Sequence, residues 1–304
     1  MLIDPQQRRE KIQADLHKAR SGYEVLWQQV VDDWRSAEKG CYGWLTYSAN
    51  YLFSFNGLKW GLDTYAMPSR VRGMRSPEYQ ADLAPLSLMV LTHAHRDHLD
   101  MNLIQALIHS EVQWVIPEHV QEVLRGMEAL PEKNVITPVP GQPIQKGALR
   151  LLPFASLHLH GVYGVPETGY LVEYQNQRWL FPGDVRVYDN SRLPDFGRLD
   201  GVVAHLWLGK ACAMDEEPPF LDAFCQFFSK LGAEQLFITH LNEFGRDETE
   251  LWCEEHFNLV KTNLQKRASG LKVQKFLMGD RMVFNPPAHR MEQRTHERDQ
   301  SDRQ

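Results

Sequence analysis

Several features are scarce in this 304-residue chain, and each scarcity excludes a class of protein. Its four cysteines form no CxxC or HxC spacing, so we expect reduced thiols in a cytoplasmic protein rather than a disulfide scaffold. No apolar run is long enough to span a bilayer, and residues 1–10 are charged rather than signal-like. Positive charge is also in short supply: a net charge of −6 disfavours broad binding to nucleic-acid phosphates.

The chain does contain enough apolar sequence for a full core, since 43% of its residues are hydrophobic. A single domain of this length is normal for an α/β fold with two sheets. Its most informative segment is 92–100, Thr-His-Ala-His-Arg-Asp-His-Leu-Asp. This segment follows an apolar run of strand length, 86–91, and precedes a helical pattern at 101–108. Functional side chains are commonly presented at such a junction in α/β proteins.

Three imidazoles and one carboxylate in this segment, those of His93, His95, His98 and Asp97, predict a metal site. Divalent ions of the zinc type accept imidazole nitrogen and carboxylate oxygen, and catalytic sites leave a position open for water. A histidine-rich surface loop, or core histidines satisfied by backbone groups, is the alternative, but neither would need this spacing. If strand geometry continues through His93 and His95, both rings point to the same side, so one segment can serve two neighbouring ions.

The pattern His93-x-His95-x-Asp97-His98 after an apolar strand resembles the signature of the metallo-β-lactamase fold superfamily. The resemblance covers residues 44–284 and implies an α/β protein built as a four-layer αββα sandwich. It also implies a third histidine, a bridging aspartate behind a glycine and a last histidine, each at the end of a strand. The corresponding residues of this chain are His158, Asp184 and His240.

The third histidine has two candidates, because His158 and His160 would face the same side of a strand. The stretch Pro-x-Ala-x-x-His that ends at His158 resembles the branch containing L-ascorbate-6-phosphate lactonase and the phospholipase D that cleaves N-acylphosphatidylethanolamine, which favours His158. His160 would then be a catalytic pocket residue, a partner of a ligand or a proton carrier. With His160, Tyr163 and Tyr188 are candidates to protonate the leaving group.

Asp63 and His205 each have alternative interpretations. Asp63 follows a hairpin of the runs 44–55 and 58–62 around an Asn-Gly turn, and the resemblance implies a buried residue that supports the ligand loop rather than a ligand. His205 rivals His240 as the last ligand, but it lies inside an apolar run, which favours a core role or a contact with a ligand. The remaining histidines show no partner pattern, and we expect them in solvent: His17, His109, His119, His256, His289 and His296.

Counting donors groups the expected ligands into two sets that share one carboxylate. The sets are His93, His95, His158 and Asp184, and Asp97, His98, His240 and Asp184. Sharing this carboxylate and one solvent species would hold two divalent ions about 3.5–4 Å apart. We expect zinc, with manganese or iron as alternatives. In this arrangement Asp97 is a catalytic ligand and orienter, not a free base.

The sequence divides into three stretches: a helical extension at 1–39, the catalytic domain at 40–286 and a polar tail at 287–304 that we expect to be disordered. In the extension, apolar residues spaced three or four apart from Ile12 to Trp34 predict a helix with one apolar face. We expect this face to pack on the body of the protein, with a homo-oligomer contact as the alternative.

The function favoured by these patterns is a dinuclear metal-dependent hydrolase, in which a metal-bridging hydroxide attacks an ester, lactone or phosphodiester of a small or lipid-like substrate. A basic cluster at Arg70, Arg72 and Arg75 would either meet a phosphate or carboxylate of the substrate or remain solvated. A nuclease of the same fold is the alternative, disfavoured by the acidic net charge. Diiron oxygen-reducing relatives carry glutamate where this chain has His95, which disfavours that branch.

Overall fold

The computed structural model describes residues 4–126, 130–159, 161 and 164–284. His160, Tyr163, His289, His296 and the polar tail at 287–304 therefore lie outside the described residues. Within the described part the chain forms two seven-stranded sheets. In spatial order the first sheet contains β14 (Arg281–Val283), β1 (Cys41–Leu45), β2 (Tyr51–Phe55), β3 (Leu58–Leu62), β4 (Leu88–Val90), β5 (Gln113–Val115) and β6 (Val135–Ile136). The second contains β13 (Lys272–Lys275), β12 (Gln235–Thr239), β11 (Gly201–His205), β10 (Gln177–Phe181), β9 (Thr168–Tyr174), β8 (Leu149–Ala155) and β7 (Ile144–Lys146).

Helices cover the outer faces of both sheets. The helices are α1 (Pro5–Ser36), α2 (Tyr79–Asp82), α3 (Met101–Leu107), α4 (Glu118–Leu124), α5 (Leu221–Lys230) and α6 (Glu254–Arg267). Buried side chains of α1, α3 and α4 form one cluster with the first sheet, and those of α5 and α6 form another with the second. Among the described residues, no helix is long and apolar enough to cross a membrane.

A third cluster of buried side chains lies between the two sheets. In it Phe53 and Trp60 of the first sheet pack with Tyr170 and Phe181 of the second. Burial of one such side chain stabilises the fold by about 1.5–3 kcal/mol relative to exposure. The order helix, sheet, sheet, helix confirms the four-layer αββα sandwich expected from the sequence.

The long helix α1 packs on the first sheet through the predicted apolar face. Asp4 caps its N-terminus by accepting from the backbone N–H groups of Gln6 and Gln7. Near its C-terminus Trp34 is fully buried, and its indole N–H donates to the Phe53 carbonyl at 2.8 Å. The expected packing on the body is confirmed, and the homo-oligomer contact stays a prediction.

The first hairpin differs from the sequence expectation of one strand over 44–55. Two strands, β1 and β2, cover this region as an antiparallel pair. The turn between them is stabilised by Asn50, whose side-chain oxygen accepts from the N–H groups of Ser48 and Ala49. The Asn-Gly turn between β2 and β3 is confirmed, since both Asn56 and Gly57 have positive φ.

The position of a strand along the chain does not decide which of the two sheets it joins. β7 and β8 precede His158 but pair in the second sheet, where β8 is antiparallel to β9 over seven residue pairs. The last strand, β14, returns to the edge of the first sheet beside β1. Apolar alternation marks a strand but does not specify which sheet it joins, so this assignment could not be made from the sequence pattern.

Candidate metal centre

Loops that follow strands of both sheets converge at one edge of the sandwich. β4 ends just before the 92–100 segment, and β8, β10 and β12 are followed by His158, Asp184 and His240. β4 is parallel to β3 and β5, and β10, β11 and β12 are mutually parallel. β8 runs in the direction of β10, because both are antiparallel to β9. The ligand candidates therefore lie beyond the carboxyl ends of strands, where open α/β sheets present ligand sites.

The structure brings all seven predicted metal ligands together in two groups that share Asp184. Within each group the donor atoms lie within 4.8 Å of one another. The first group contains His93, His95, His158 and Asp184, and the second contains Asp97, His98, Asp184 and His240. Except for the partly exposed His95, all these side chains are buried.

The two oxygens of Asp184 face different groups. Oδ2 lies 4.0 Å from His158 Nε2 of the first group. Oδ1 lies 3.5 Å from His98 Nε2 and 3.6 Å from His240 Nδ1 of the second. A carboxylate with one oxygen directed to each donor set has the arrangement that bridging two neighbouring cations requires.

Several buried nitrogens of the centre lack a hydrogen bond within the described part of the chain. Four buried imidazole nitrogens have no hydrogen-bond partner: Nε2 of His93, His98 and His158 and Nδ1 of His240. Buried polar atoms are almost always paired, so four such atoms from three separate segments need an explanation. Neutral imidazole nitrogen is a preferred ligand of zinc-type cations, and the donor set therefore fits divalent metal.

Buried carboxylates hold the opposite ring nitrogens of two of these histidines. His98 Nδ1 lies 2.8 Å from Asp63 Oδ2, and His93 Nδ1 lies 3.0 Å from Glu167 Oε1. Carboxylates in this position fix the tautomer and orientation of a ligating imidazole. Asp63 also accepts from the Thr92 backbone N–H at 2.8 Å, which ties it to the start of the ligand loop. Sequence reasoning singled out Asp63 and missed Glu167, whose only signal is its position just before β9.

A third buried carboxylate, Glu243, was also missed by sequence reasoning. Its Oε2 lies 3.1 Å from His240 Nε2 and accepts from Arg246 Nη1 at 2.7 Å. Its Oε1 accepts from Arg70 Nη2 at 3.3 Å. The signal that could have found it is its spacing of three residues from His240. Both Asp63 and His240 have positive φ, 44° and 63°, an uncommon conformation for non-glycine residues that clusters at functional sites.

His205 contacts the shared carboxylate but belongs to neither group. It is the last residue of β11 and not an interior one, so the positional reason for ranking it below His240 was wrong. Its Nδ1 lies 2.8 Å from Asp184 Oδ1 and its Nε2 lies 2.9 Å from the Tyr51 hydroxyl. These contacts place it as a hydrogen-bonding partner of Asp184, one of the roles expected for it.

The expectation of a solvated His256 is wrong. His256 is fully buried at the N-terminus of α6, where its Nδ1 accepts from the Cys253 backbone N–H at 3.0 Å. Its Nε2 lies 2.8 Å from the Ala213 carbonyl, so backbone groups satisfy both nitrogens. His119 is half-buried, with Nε2 3.2 Å from the Thr92 carbonyl, whereas His17 and His109 are exposed.

Charge is distributed unevenly across the centre. Burial raises the pKa of Asp97 and Asp184, but contacts with His240 and His98 outweigh it and hold both pKa values well below the ordinary value. Burial lowers the pKa of His95 to about 4 and of His158 to about 3, which keeps both rings neutral. Neutral imidazoles and ionised carboxylates are the protonation states that metal binding requires.

The second group carries an excess of negative charge. Burial lowers the pKa of His240, but Asp184, Asp97 and Glu243 outweigh burial and raise that pKa to about 9. Burial is likewise outweighed at His98, where Asp184 and Asp63 raise the pKa well above its usual value. Anionic surroundings that favour a positive charge at this position also favour a bound cation.

A cavity of about 330 Å³ opens on the centre at His95 and Asp97. Of the three loop arginines, Arg70 lines it, while Arg72 and Arg75 are exposed to solvent. Tyr188, a candidate for leaving-group protonation, does not line this cavity, and its hydroxyl donates to the Trp207 carbonyl at 2.5 Å. The cleft thus places His95 and Asp97 within reach of a bound small molecule.

The chain belongs to the family described as the Beta-lactamase superfamily domain, which it matches over residues 62–241. This span contains Asp63 and all seven predicted ligands. The match confirms the superfamily expected from the sequence and, with it, the expected enzyme class, a metal-dependent hydrolase. No curated protein matches the chain.

Solved structures share this fold at low sequence identity. The metallo hydrolase Igni18 from Ignicoccus hospitalis aligns with a TM-score of 0.57 and 15% identity over 81% of this chain and 98% of its own. An isothiocyanate hydrolase from Delia radicum gut bacteria aligns with a TM-score of 0.55 and 16% identity over 81% and 99%. CmlA, a diiron β-hydroxylase from Streptomyces venezuelae, aligns with a TM-score of 0.55 and 13% identity over 81% and 54%. At such identities the likeness shows the fold alone.

Proposed function

We propose that this chain is a dinuclear hydrolase whose two divalent ions are zinc, with manganese or iron as alternatives. The observation that carries the proposal is the position of Asp184, whose two oxygens face two separate donor groups. His93, His95 and His158 would complete one ligand set, and Asp97, His98 and His240 the other. When bound, two such ions supply a water nucleophile activated at neutral pH and stabilise the charge that develops on the attacked centre.

The protein's own residues orient and shield this chemistry. Asp63, Glu167 and Glu243 would orient His98, His93 and His240 through their second ring nitrogens. Asp97 is assigned as a ligand and orienter, because its depressed pKa makes it a poor proton acceptor near neutral pH. The assignment of His160 as a pocket residue or proton carrier stays a prediction.

The proposed substrates are small or lipid-like esters, lactones or phosphodiesters. The resemblance of the stretch ending at His158 to the lactonase and phospholipase D branch supports this choice, and a cavity of about 330 Å³ is of the size that small molecules occupy. Proteins of one fold can carry unrelated chemistries, as the isothiocyanate hydrolase and the diiron β-hydroxylase illustrate, so the fold does not select the bond that is cleaved. All four cysteines are free and buried, which supports the proposed cytoplasmic location.

Metal analysis and a substrate panel test the proposal together. After purification in zinc or manganese we expect about two ions per chain, as the two-metal arrangement requires. The loaded protein should hydrolyse members of a panel of lactones, aryl esters and bis(p-nitrophenyl) phosphate. His93→Ala should lose both metal and turnover, whereas His17→Ala, which changes an exposed histidine of α1, should lose neither. Fewer than one ion per chain in the unaltered protein would refute the dinuclear assignment.

A further inference from the structure

The wall of the cleft above the metal centre is strongly cationic, although the chain as a whole has a net charge of −6. Five cationic side chains line the cavity: Arg70, Arg96, Arg186, Lys210 and Arg246. Two acidic side chains line it, and one of them, Asp97, is a proposed metal ligand. This concentration of positive charge is therefore a local property of the cleft and not of the surface in general.

Arg186 forms part of the cleft floor beside the first ligand set. It lies two residues beyond Asp184, and its side chain is 9% exposed. Its Nη2 lies 3.8 Å from Asp184 Oδ2, the oxygen that faces His158. Its guanidinium carbon lies 5.5 Å from the centroid of Trp207, which lines the same cavity. Stacking on this ring and a backbone hydrogen bond from Arg186 N–H to the Leu157 carbonyl at 2.9 Å hold the residue in place.

Arg246 and Arg70 form the wall beside the second ligand set. They contact different oxygens of Glu243, which itself contacts His240. Arg246 also lies 3.6 Å from Glu250. Because both arginines hydrogen-bond to Glu243, they position this carboxylate, which in turn contacts His240.

Arg96 is the most accessible cation of the cleft. It is exposed between the proposed ligands His95 and Asp97, and within the described residues it makes no hydrogen bond or ion pair. Its charge is thus available to a molecule that enters the cavity. Arg96 at the rim and Arg186 at the floor define a path of positive charge that leads to the first ligand set.

We infer that the cleft selects substrates that carry an anionic group, a phosphate or a carboxylate, separate from the bond that is cleaved, and that Arg186 and Arg96 bind this group. A guanidinium presents paired donors that match carboxylate and phosphate oxygens, and such charge-assisted bonds strengthen in a partly desolvated cleft. The cationic wall also attracts anions from solution. This inference rests on the proposed hydrolytic function, since it specifies the substrate class of that site.

The test compares two esters of similar shape that differ in charge: p-nitrophenyl butyrate, which is neutral, and mono-p-nitrophenyl succinate, which carries a carboxylate. The unaltered, metal-loaded chain should have the higher kcat/KM for the succinate. Arg186→Gln should lower the succinate-to-butyrate ratio of kcat/KM about tenfold or more, the loss expected for one charge-assisted hydrogen bond. Arg96→Gln should lower it less, and Arg186→Lys should restore part of it. Arg75→Gln, an exposed arginine outside the cavity, should leave the ratio unchanged.

Calorimetric binding of phenyl phosphate, benzoate and benzyl alcohol gives a readout that needs no turnover. Both anions should bind more tightly than the alcohol, and Arg186→Gln should remove most of that preference. The anion that binds more tightly identifies phosphate or carboxylate as the preferred group. If Arg186→Gln does not fold, the kinetic and calorimetric comparisons are made with Arg96→Gln and Arg186→Lys instead.

Equal kcat/KM values for the two esters, or a ratio that Arg186→Gln does not change, would overturn the inference while the hydrolase assignment stands. Anion binding that depends on Arg186 in a chain without metal or turnover would instead refute the proposed function alone.

Discussion

Histidine side chains are completely buried in two regions of this molecule, and the regions differ in whether both ring nitrogens have a hydrogen-bond partner. At the N-terminus of α6, the Cys253 N–H and the Ala213 carbonyl satisfy both nitrogens of His256. At the metal centre, His93 and His98 are each held by a carboxylate at one nitrogen, and the other nitrogen is buried without a hydrogen bond within the described chain. Burial alone therefore does not distinguish a ligand from a structural histidine, whereas the count of satisfied nitrogens does.

This difference has a direct physical basis. A buried polar atom that lacks a partner costs about 1–3 kcal/mol, so a fold that leaves four such atoms at one point needs a compensating interaction there. A bound cation supplies it. His256 needs no such compensation, and variants at the two places should accordingly affect different properties.

The largest effect should come from Asp184→Asn. This change removes the charge shared by both donor groups, so we expect metal content to fall at both positions and kcat/KM to fall at least about 100-fold, the upper range for residues that only orient a ligand. Elemental analysis and steady-state kinetics measure the two losses. Glu111→Gln, at an exposed carboxylate, serves as the control and should lose neither. An Asp184→Asn protein with two bound ions would contradict the bridging role.

A matched pair of carboxylate variants should separate the two ligand sets. Asp63→Asn weakens the support of His98, whereas Glu167→Gln weakens that of His93. Each change should weaken metal binding about 10- to 100-fold, and each should act mainly on its own set. Zinc titration calorimetry resolves the effect as a change in one of two binding steps.

The controls for this pair follow from the geometry. Asp63 also accepts from the Thr92 N–H, and Glu167 from the Asp184 N–H, so thermal unfolding must show that both variants remain folded. If both variants weaken the same step, the division into two sets is wrong. If neither weakens any step, the two carboxylates do not orient metal ligands.

The sequence predicts the seven ligand candidates by two routes, the spacing of residues within one segment and the resemblance to a superfamily. The spacing of His93, His95 and His98 predicts the site, and the resemblance to the metallo-β-lactamase superfamily implies His158, Asp184 and His240. Glu167 and Glu243 could not be predicted with the same rules. Each is a single carboxylate whose role depends on which loops the fold brings together. The spacing of residues within one segment does not predict such a contact.

The same limit explains the error at His256. Its sequence surroundings are those of a helix start, whereas its burial depends on contacts with the Ala213 carbonyl and the Trp252 ring. The assignment of β7 and β8 to the second sheet depends likewise on long-range pairing. Local patterns predict elements and donor types, but the partners of a side chain come from contacts across the chain.

The smallest effect on metal binding and turnover should come from His256→Gln, a variant of the buried histidine that lies outside the metal centre. Burial lowers the pKa of His256 to about 4, below the unfolded value of about 6.5, because loss of solvation disfavours the charged imidazolium. The unfolded state therefore binds more protons between these values. The contribution of neutral His256 is fully present above pH 6.5 and is lost as pH falls from 6.5 through about 4, by at most about 3 kcal/mol.

Glutamine can still accept from the N-cap N–H as in a capping box, but it does not titrate. As pH falls from 6.5 to 4, the free energy of unfolding should therefore fall more in the unaltered chain than in His256→Gln. At neutral pH the variant should keep the metal content and kcat/KM of the unaltered chain. Denaturant unfolding at several pH values measures both free energies. The pH dependence that comes from the metal centre is common to the two proteins and cancels in their difference. A difference in free energy of unfolding that stays constant across this range would mean that His256 is not buried in the neutral form. Loss of metal from His256→Gln would mean that a histidine with both nitrogens hydrogen-bonded also contributes to the metal centre.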